Sequence, residues 1–143
     1  MTRRNQIYLH LTLWTLQGWL AMFFLAAGYA KLTEQMDILI VLLSWPAHVD
    51  LADVRIVGGV EVLLSVLIVS PLVSWSFGRP LLVLSATAML MLEAAALVVH
   101  ASMFEWGHVL TNMVLLLMTV VVLRLRARPP NRRKGPRLDA GAD

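Results

Sequence analysis

Long apolar runs alternate with short polar segments along the chain, and four of the runs are long enough to cross a bilayer. A spanning helix needs about 20 residues at a rise of about 1.5 Å per residue. We predict spans over residues 9–30, 56–77, 80–100 and 107–125. Because lipid offers the backbone no hydrogen-bond partner, each span is expected to be a helix. The pattern predicts an all-α, integral membrane four-helix bundle within residues 9–125.

The connection between the first two spans contains another apolar stretch, residues 38–45, which is too short to span. Pro46 follows it and cannot continue a helix, while Trp45 suits the depth of lipid headgroups. We therefore predict a short interfacial or re-entrant helix between spans 1 and 2. A helix that merely lies on the bundle and a functional lid are both open interpretations of it.

Composition supports a membrane protein, since 59% of the 143 residues are hydrophobic and only 15% are charged. Soluble domains average about 45–50% apolar and about 25% charged residues. The chain has no cysteine, which excludes thiol nucleophiles and cysteine-ligated metal centres within it. Seven of the twelve Lys and Arg residues fall within residues 124–137, so the net charge of +3 reflects a basic tail. We expect no nucleic-acid partner.

The distribution of positive charge predicts the orientation, because loops rich in Lys and Arg stay in the cytoplasm. Both termini are basic, Arg79 marks the connection between spans 2 and 3, and residues 102–106 contain Glu105 but no Lys or Arg. We predict a multi-pass protein of the inner (cytoplasmic) membrane with both termini in the cytoplasm. Residues 1–8 form the N-terminal segment, and residues 126–143 a basic disordered tail that contacts anionic lipid headgroups.

Counting depth along the predicted helices places several polar side chains in and just above one layer near the outer face. Glu61 lies about 8 Å below the start of the second span, Glu93 about 10 Å below the end of the third, and Asn112 about 8 Å into the fourth. Basic residues and histidines stand above them at the span ends. The polar layer comprises Lys31, Arg55, Glu61, Glu93, His100, His108 and Asn112.

Two interpretations of Glu61 remain open at this point. In the first, it forms a structural ion pair with Lys31 or Arg55, since an unpaired charge facing lipid costs about 2.5–3.5 kcal/mol. In the second, the polar layer lines a small-molecule pocket near the outer leaflet. Haem between His100 and His108 is geometrically conceivable, but histidines at helix ends more often make interfacial hydrogen bonds, so we expect no metal and no intrinsic cofactor.

Three short motifs carry a resemblance to a known family: "FFLAAGYAKL" at the end of the first span, "RIVGGVEVLLSVLIV" opening the second, and "GHVLTNMVLLLM" in the fourth. Together they resemble the DoxX-like family of small four-helix membrane proteins, over roughly residues 19–125. The family pattern singles out six positions of this chain, namely Gly28, Lys31, Arg55, Gly59, Glu61 and Asn112. Small residues of these motifs, Gly28, Gly58 and Gly59, are candidates for close helix packing.

The resemblance implies a quinone-linked or oxidative-stress redox role, and some relatives are membrane subunits of thiosulfate:quinone oxidoreductases. We therefore expect a subunit that binds a hydrophobic small molecule, a quinone, near the outer leaflet. Glu61 and Glu93 would accept protons, Lys31 or Arg55 would supply a counter-charge, and Asn112 and His108 would donate hydrogen bonds.

No catalytic residue is assigned, because no redox cofactor motif is visible in the chain. Electrons would pass through the bound quinone or a redox partner protein. Two alternatives remain: a non-catalytic assembly or chaperone-like membrane subunit, and a small transporter.

Overall fold

A computed structural model describes residues 3–127, which form five α-helices and two 3₁₀ helices and contain no β-strand. The α-helices are α1 (Arg3–Thr33), α2 (Met36–Leu43), α3 (Leu51–Ile68), α4 (Trp75–Ser102) and α5 (Trp106–Arg126). The prediction of an all-α membrane bundle is confirmed. Most of the predicted tail, residues 128–143, lies outside the described residues.

Three of the four long helices, α1, α4 and α5, are long and apolar enough to cross a membrane. The fourth, α3, has 18 residues and carries Asp53, Arg55 and Glu61. Large apolar side chains cover much of the outer surface; Val73 is 92% exposed and Phe77 is 78% exposed. Such a surface suits lipid rather than water, so the chain associates with the bilayer.

The predicted bounds of the second span, residues 56–77, are wrong. Helix α3 begins at Leu51, five residues before the predicted start and with Asp53 in its first turn, and it ends at Ile68. A 3₁₀ turn, Ser70–Leu72, follows, since Pro71 cannot donate the backbone hydrogen bond that would continue the helix. Helix α4 then begins at Trp75, so Arg79 lies inside α4 and not in the connection.

The other helices agree with the predicted spans at their centres and extend beyond them at their ends. The short apolar stretch forms α2, which ends one residue before Ser44, whose φ is 59°. A 3₁₀ helix, Trp45–His48, follows with Pro46 near its start. Leu39 of α2 is fully buried, so this helix packs on the bundle through at least one side chain.

Helix α1 packs mainly on α3, and α4 packs mainly on α5, while α3 and α4 join the two pairs. We call the end of the bundle that contains α2 and the α4–α5 turn the loop end. The opposite end, where α1 begins and α5 ends, is the terminal end. The apolar core between the helices consists of Leu20, Phe24, Leu64, Ile68, Leu82, Met89, Leu115 and Val122.

Candidate functional site

The ion pair between Lys31 and Glu61 joins the C-terminal turn of α1 to the middle of α3. The Lys31 Nζ donates to both carboxylate oxygens, at 2.8 Å to Oε1 and 2.6 Å to Oε2. Only 5% of Lys31 is exposed. Arg55 does not pair with Glu61; it donates to the backbone carbonyls of Lys31 and of Glu34, the latter at 2.8 Å. Arg55 therefore satisfies carbonyl groups that the end of α1 leaves open.

Two glycines make this ion pair possible by letting α1 and α3 approach closely. A Cβ atom on Gly28 would lie 2.6 Å from the carbonyl oxygen of Gly58, and one on Gly58 would lie 2.8 Å from the Lys31 Cβ. Both distances are too short for any side chain. Gly59 has no neighbouring atom within 4 Å of such a Cβ, so it lies outside the crossing.

Glu93 lies in the core between α4 and α5 and is only 2% exposed. Its Oε1 accepts a hydrogen bond of 2.7 Å from the hydroxyl of Thr119, which is fully buried. Its Oε2 has no hydrogen-bond partner among the described residues. A carboxyl group with an unsatisfied oxygen is costly in an apolar core, which marks this position as a candidate binding site.

A third cluster of polar side chains is centred on Glu105 in the α4–α5 turn at the loop end. The His100 Nδ1 lies 2.5 Å from Glu105 Oε2, and the His108 Nδ1 lies 3.9 Å from the same oxygen. The two imidazole rings stack with centroids 4.7 Å apart and planes 12° apart. Hydrogen bonds from the Ser44 hydroxyl and the His100 ring hold the pKa of the Glu105 carboxyl below its ordinary value. These three side chains are the described residues that could hold a metal ion.

The polar residues that depth counting assigned to one layer thus form three separate groups. Lys31 and Glu61 meet, and His100 and His108 meet, but Glu93 pairs with Thr119 on the other helix pair. The Asn112 amide donates to the backbone carbonyl of His108, one turn earlier in its own helix, at 2.9 Å.

A fourth cluster of polar side chains lies at the terminal end, and the sequence did not predict it. Gln17 is fully buried; its Nε2 donates to the carbonyl of Ile68 at 2.9 Å, and its Oε1 accepts from the Arg126 Nε at 2.9 Å. The Arg126 guanidinium also lies over the rings of Trp14 and Trp75. Gln17 is a polar residue inside an apolar span, whereas Arg126, predicted to open the disordered tail, is instead the buried last residue of α5.

An open, mostly apolar groove runs between α1 and α5 on the lipid-facing side. One wall consists of Trp19 and Phe23, and the other is a face of α5. The α5 wall is formed by Leu110, Thr111, Val114, Leu115 and Met118. Leu115 of the groove wall lies one turn before Thr119, the hydrogen-bond partner of Glu93, on the same face of α5.

Comparison with known proteins gives one informative result. No curated protein and no solved structure matches the chain significantly. The sequence model of the DoxX-like family, by contrast, matches residues 15–122, which is most of the chain and includes all three motifs. This match confirms the resemblance inferred from the sequence. The chain belongs to the DoxX-like family and is a DoxX-like membrane protein.

Proposed function

We propose that this protein is a membrane subunit that binds a hydrophobic redox-active molecule of the quinone class beside Glu93. The observation that supports this most directly is the buried Glu93 carboxyl, which has one oxygen bonded to Thr119 and one with no partner among the described residues. Ionisable residues inside a bilayer usually mark a ligand-binding site or a path for proton transfer. Reduction of a quinone consumes protons, which Glu93 would supply, and oxidation of the quinol releases protons, which Glu93 would accept.

The groove between α1 and α5 suits the apolar part of such a molecule. Trp19 and Phe23 provide ring surfaces on one side, and Leu115 provides aliphatic contact on the other. Aromatic and aliphatic walls with few polar groups are typical of sites for small hydrophobic ligands. The protein holds no cysteine, so electrons would have to pass through the bound molecule or a redox partner protein.

The proposed location is the inner membrane with both termini in the cytoplasm. In this orientation the loop end faces outward, and the Glu93 site lies below it. Arg79 of α4 donates to the carbonyls of Arg126 and Ala127 at 3.2 and 2.8 Å, which gathers positive charge at the terminal end. Positive charge on the cytoplasmic side agrees with this orientation, and anionic lipid headgroups are the proposed contact there.

The test is chemical identification of what the protein carries. Full-length protein is purified in mild detergent, and its bound small molecules are extracted and identified by mass spectrometry. The proposal predicts a quinone at close to one molecule per chain. Recovery of phospholipid alone would contradict it.

A second candidate function, a non-catalytic assembly subunit, is favoured by the Lys31–Glu61 ion pair. In this pair both Glu61 oxygens accept a hydrogen bond from Lys31, and together with the Gly28–Gly58 crossing it locks α1 to α3. In that case Glu61→Gln would weaken binding of a partner protein, in addition to the loss of stability expected from breaking the ion pair. The content of bound small molecules would not change.

A further inference from the structure

We propose that His100, Glu105 and His108 bind a divalent transition-metal ion of the class that imidazole prefers, such as Zn²⁺, Ni²⁺ or Cu²⁺. One ligand atom from each of these side chains lies within 4.8 Å of the other two. The proposal does not depend on the quinone site. It departs from the expectation, drawn from the sequence, that the chain binds no metal.

The backbone of the α4–α5 turn holds the three side chains together. Helix α4 ends at Ser102 and α5 begins at Trp106, so only three residues connect them. The N–H of Glu105 donates to the carbonyl of His100 at 3.0 Å, and Phe104 has a φ of 58°. A turn fixed in this way places the Glu105 carboxylate between the last turn of α4 and the first turn of α5.

The hydrogen bond on the far side of the His108 ring supports the assignment independently. Its Nε2 lies 3.2 Å from the backbone carbonyl oxygen of Leu42. A carbonyl can only accept, so Nε2 carries the hydrogen and Nδ1 keeps a free lone pair on the side of Glu105. Metal-binding histidines almost always donate their second ring N–H to a carbonyl or carboxylate in this way, which fixes the tautomer.

Closing around an ion requires His108 to leave its stack with His100, because stacked rings do not point their Nδ1 lone pairs at one ion. The His100 Nδ1 donates to Glu105 Oε2 at 2.5 Å, and the ion would take the place of that proton. Bonds of about 2.0–2.2 Å from Zn²⁺ to nitrogen and oxygen put tetrahedral ligand atoms about 3.3 Å apart. The His108 side chain is 42% exposed, so it has room to turn toward Glu105 and leaves a path for the ion from water. Three protein ligands leave a fourth position for water.

Metal binding is tested on the full chain, freed of any affinity tag, purified in mild detergent and stripped with EDTA. It is titrated with Co²⁺ alone, whose visible absorption reports nitrogen and oxygen ligation, and then with Zn²⁺ in competition. We expect one ion per chain. Glu105→Gln and His108→Ala should each weaken binding by about tenfold or more, because each removes one of three ligands.

His48→Ala is the matched control, since His48 is exposed and lies outside the cluster. Zn²⁺ should also raise the unfolding temperature of the wild type and of His48→Ala, but not of Glu105→Gln. Circular dichroism of the metal-free variants shows whether they fold. If the wild type binds no stoichiometric ion, or if His48→Ala weakens binding as much as Glu105→Gln does, the proposal is overturned.

Discussion

Lys31 and Glu61, thirty positions apart in the chain, form an ion pair in which one ammonium group contacts both carboxylate oxygens. Lys31 is almost fully buried and the Glu61 side chain is 12% exposed, so the pair is largely shielded from water. The pair lies directly beside the Gly28–Gly58 crossing. Helix approach and charge pairing at this place therefore depend on each other.

Removal of either charge should destabilise the protein strongly. Lys31→Met leaves Glu61 as an unpaired buried charge, which costs about 3–5 kcal/mol in the free energy of unfolding. The double variant Lys31→Met with Glu61→Gln should lose less than the sum of the two single variants, because no lone charge remains. Reversible unfolding in mixed micelles measures these values. Strictly additive losses would show that the two side chains do not interact.

Alanine substitutions at the adjacent residues Gly58 and Gly59 should have opposite effects on stability, because only Gly58 lies at the helix crossing. Gly58→Ala places a methyl group against the Lys31 side chain and the Gly28 carbonyl, and we expect a loss of about 1–3 kcal/mol. Gly59→Ala meets nothing within 4 Å and should gain about 0.5–1 kcal/mol from helix propensity. Thermal unfolding of both variants measures the difference. Equal effects would contradict the observed crossing.

Gln17→Leu should destabilise the terminal end. The change leaves the Arg126 Nε and the Ile68 carbonyl without their partner, and each buried unsatisfied group costs about 1–3 kcal/mol. Gln6→Leu is the control, because Gln6 is on the same helix but exposed. Unfolding in detergent compares the two. An equally small effect of both substitutions would mean that the Gln17 hydrogen bonds contribute little.

The helices could be predicted from the sequence because lipid forces apolar runs into helices. Their ends could not, since a helix can continue past the end of an apolar run, as α3 does from Leu51 to Arg55. Pro71 follows the end of α3, but apolar residues continue after it in the sequence, so the apolar run alone predicts a longer span.

The sequence predicts how deep each polar side chain lies along its helix, but not which neighbouring helix it faces. Residue counting gives the level of Glu93 along its helix axis, yet it cannot say whether the side chain faces α3 or α5. The structure places it against Thr119 of α5, away from the Lys31–Glu61 pair. The family match supports the membrane fold.

The most direct test of the account compares the quinone content of wild type, Glu93→Gln and Glu34→Gln, each purified in mild detergent and extracted for mass spectrometry. Glu34→Gln is the same chemical change at the loop end, outside the core. We predict that wild type and Glu34→Gln retain about one quinone per chain and that Glu93→Gln, still folded by circular dichroism, loses it. Equal quinone content in all three proteins would contradict the assignment of the site to Glu93.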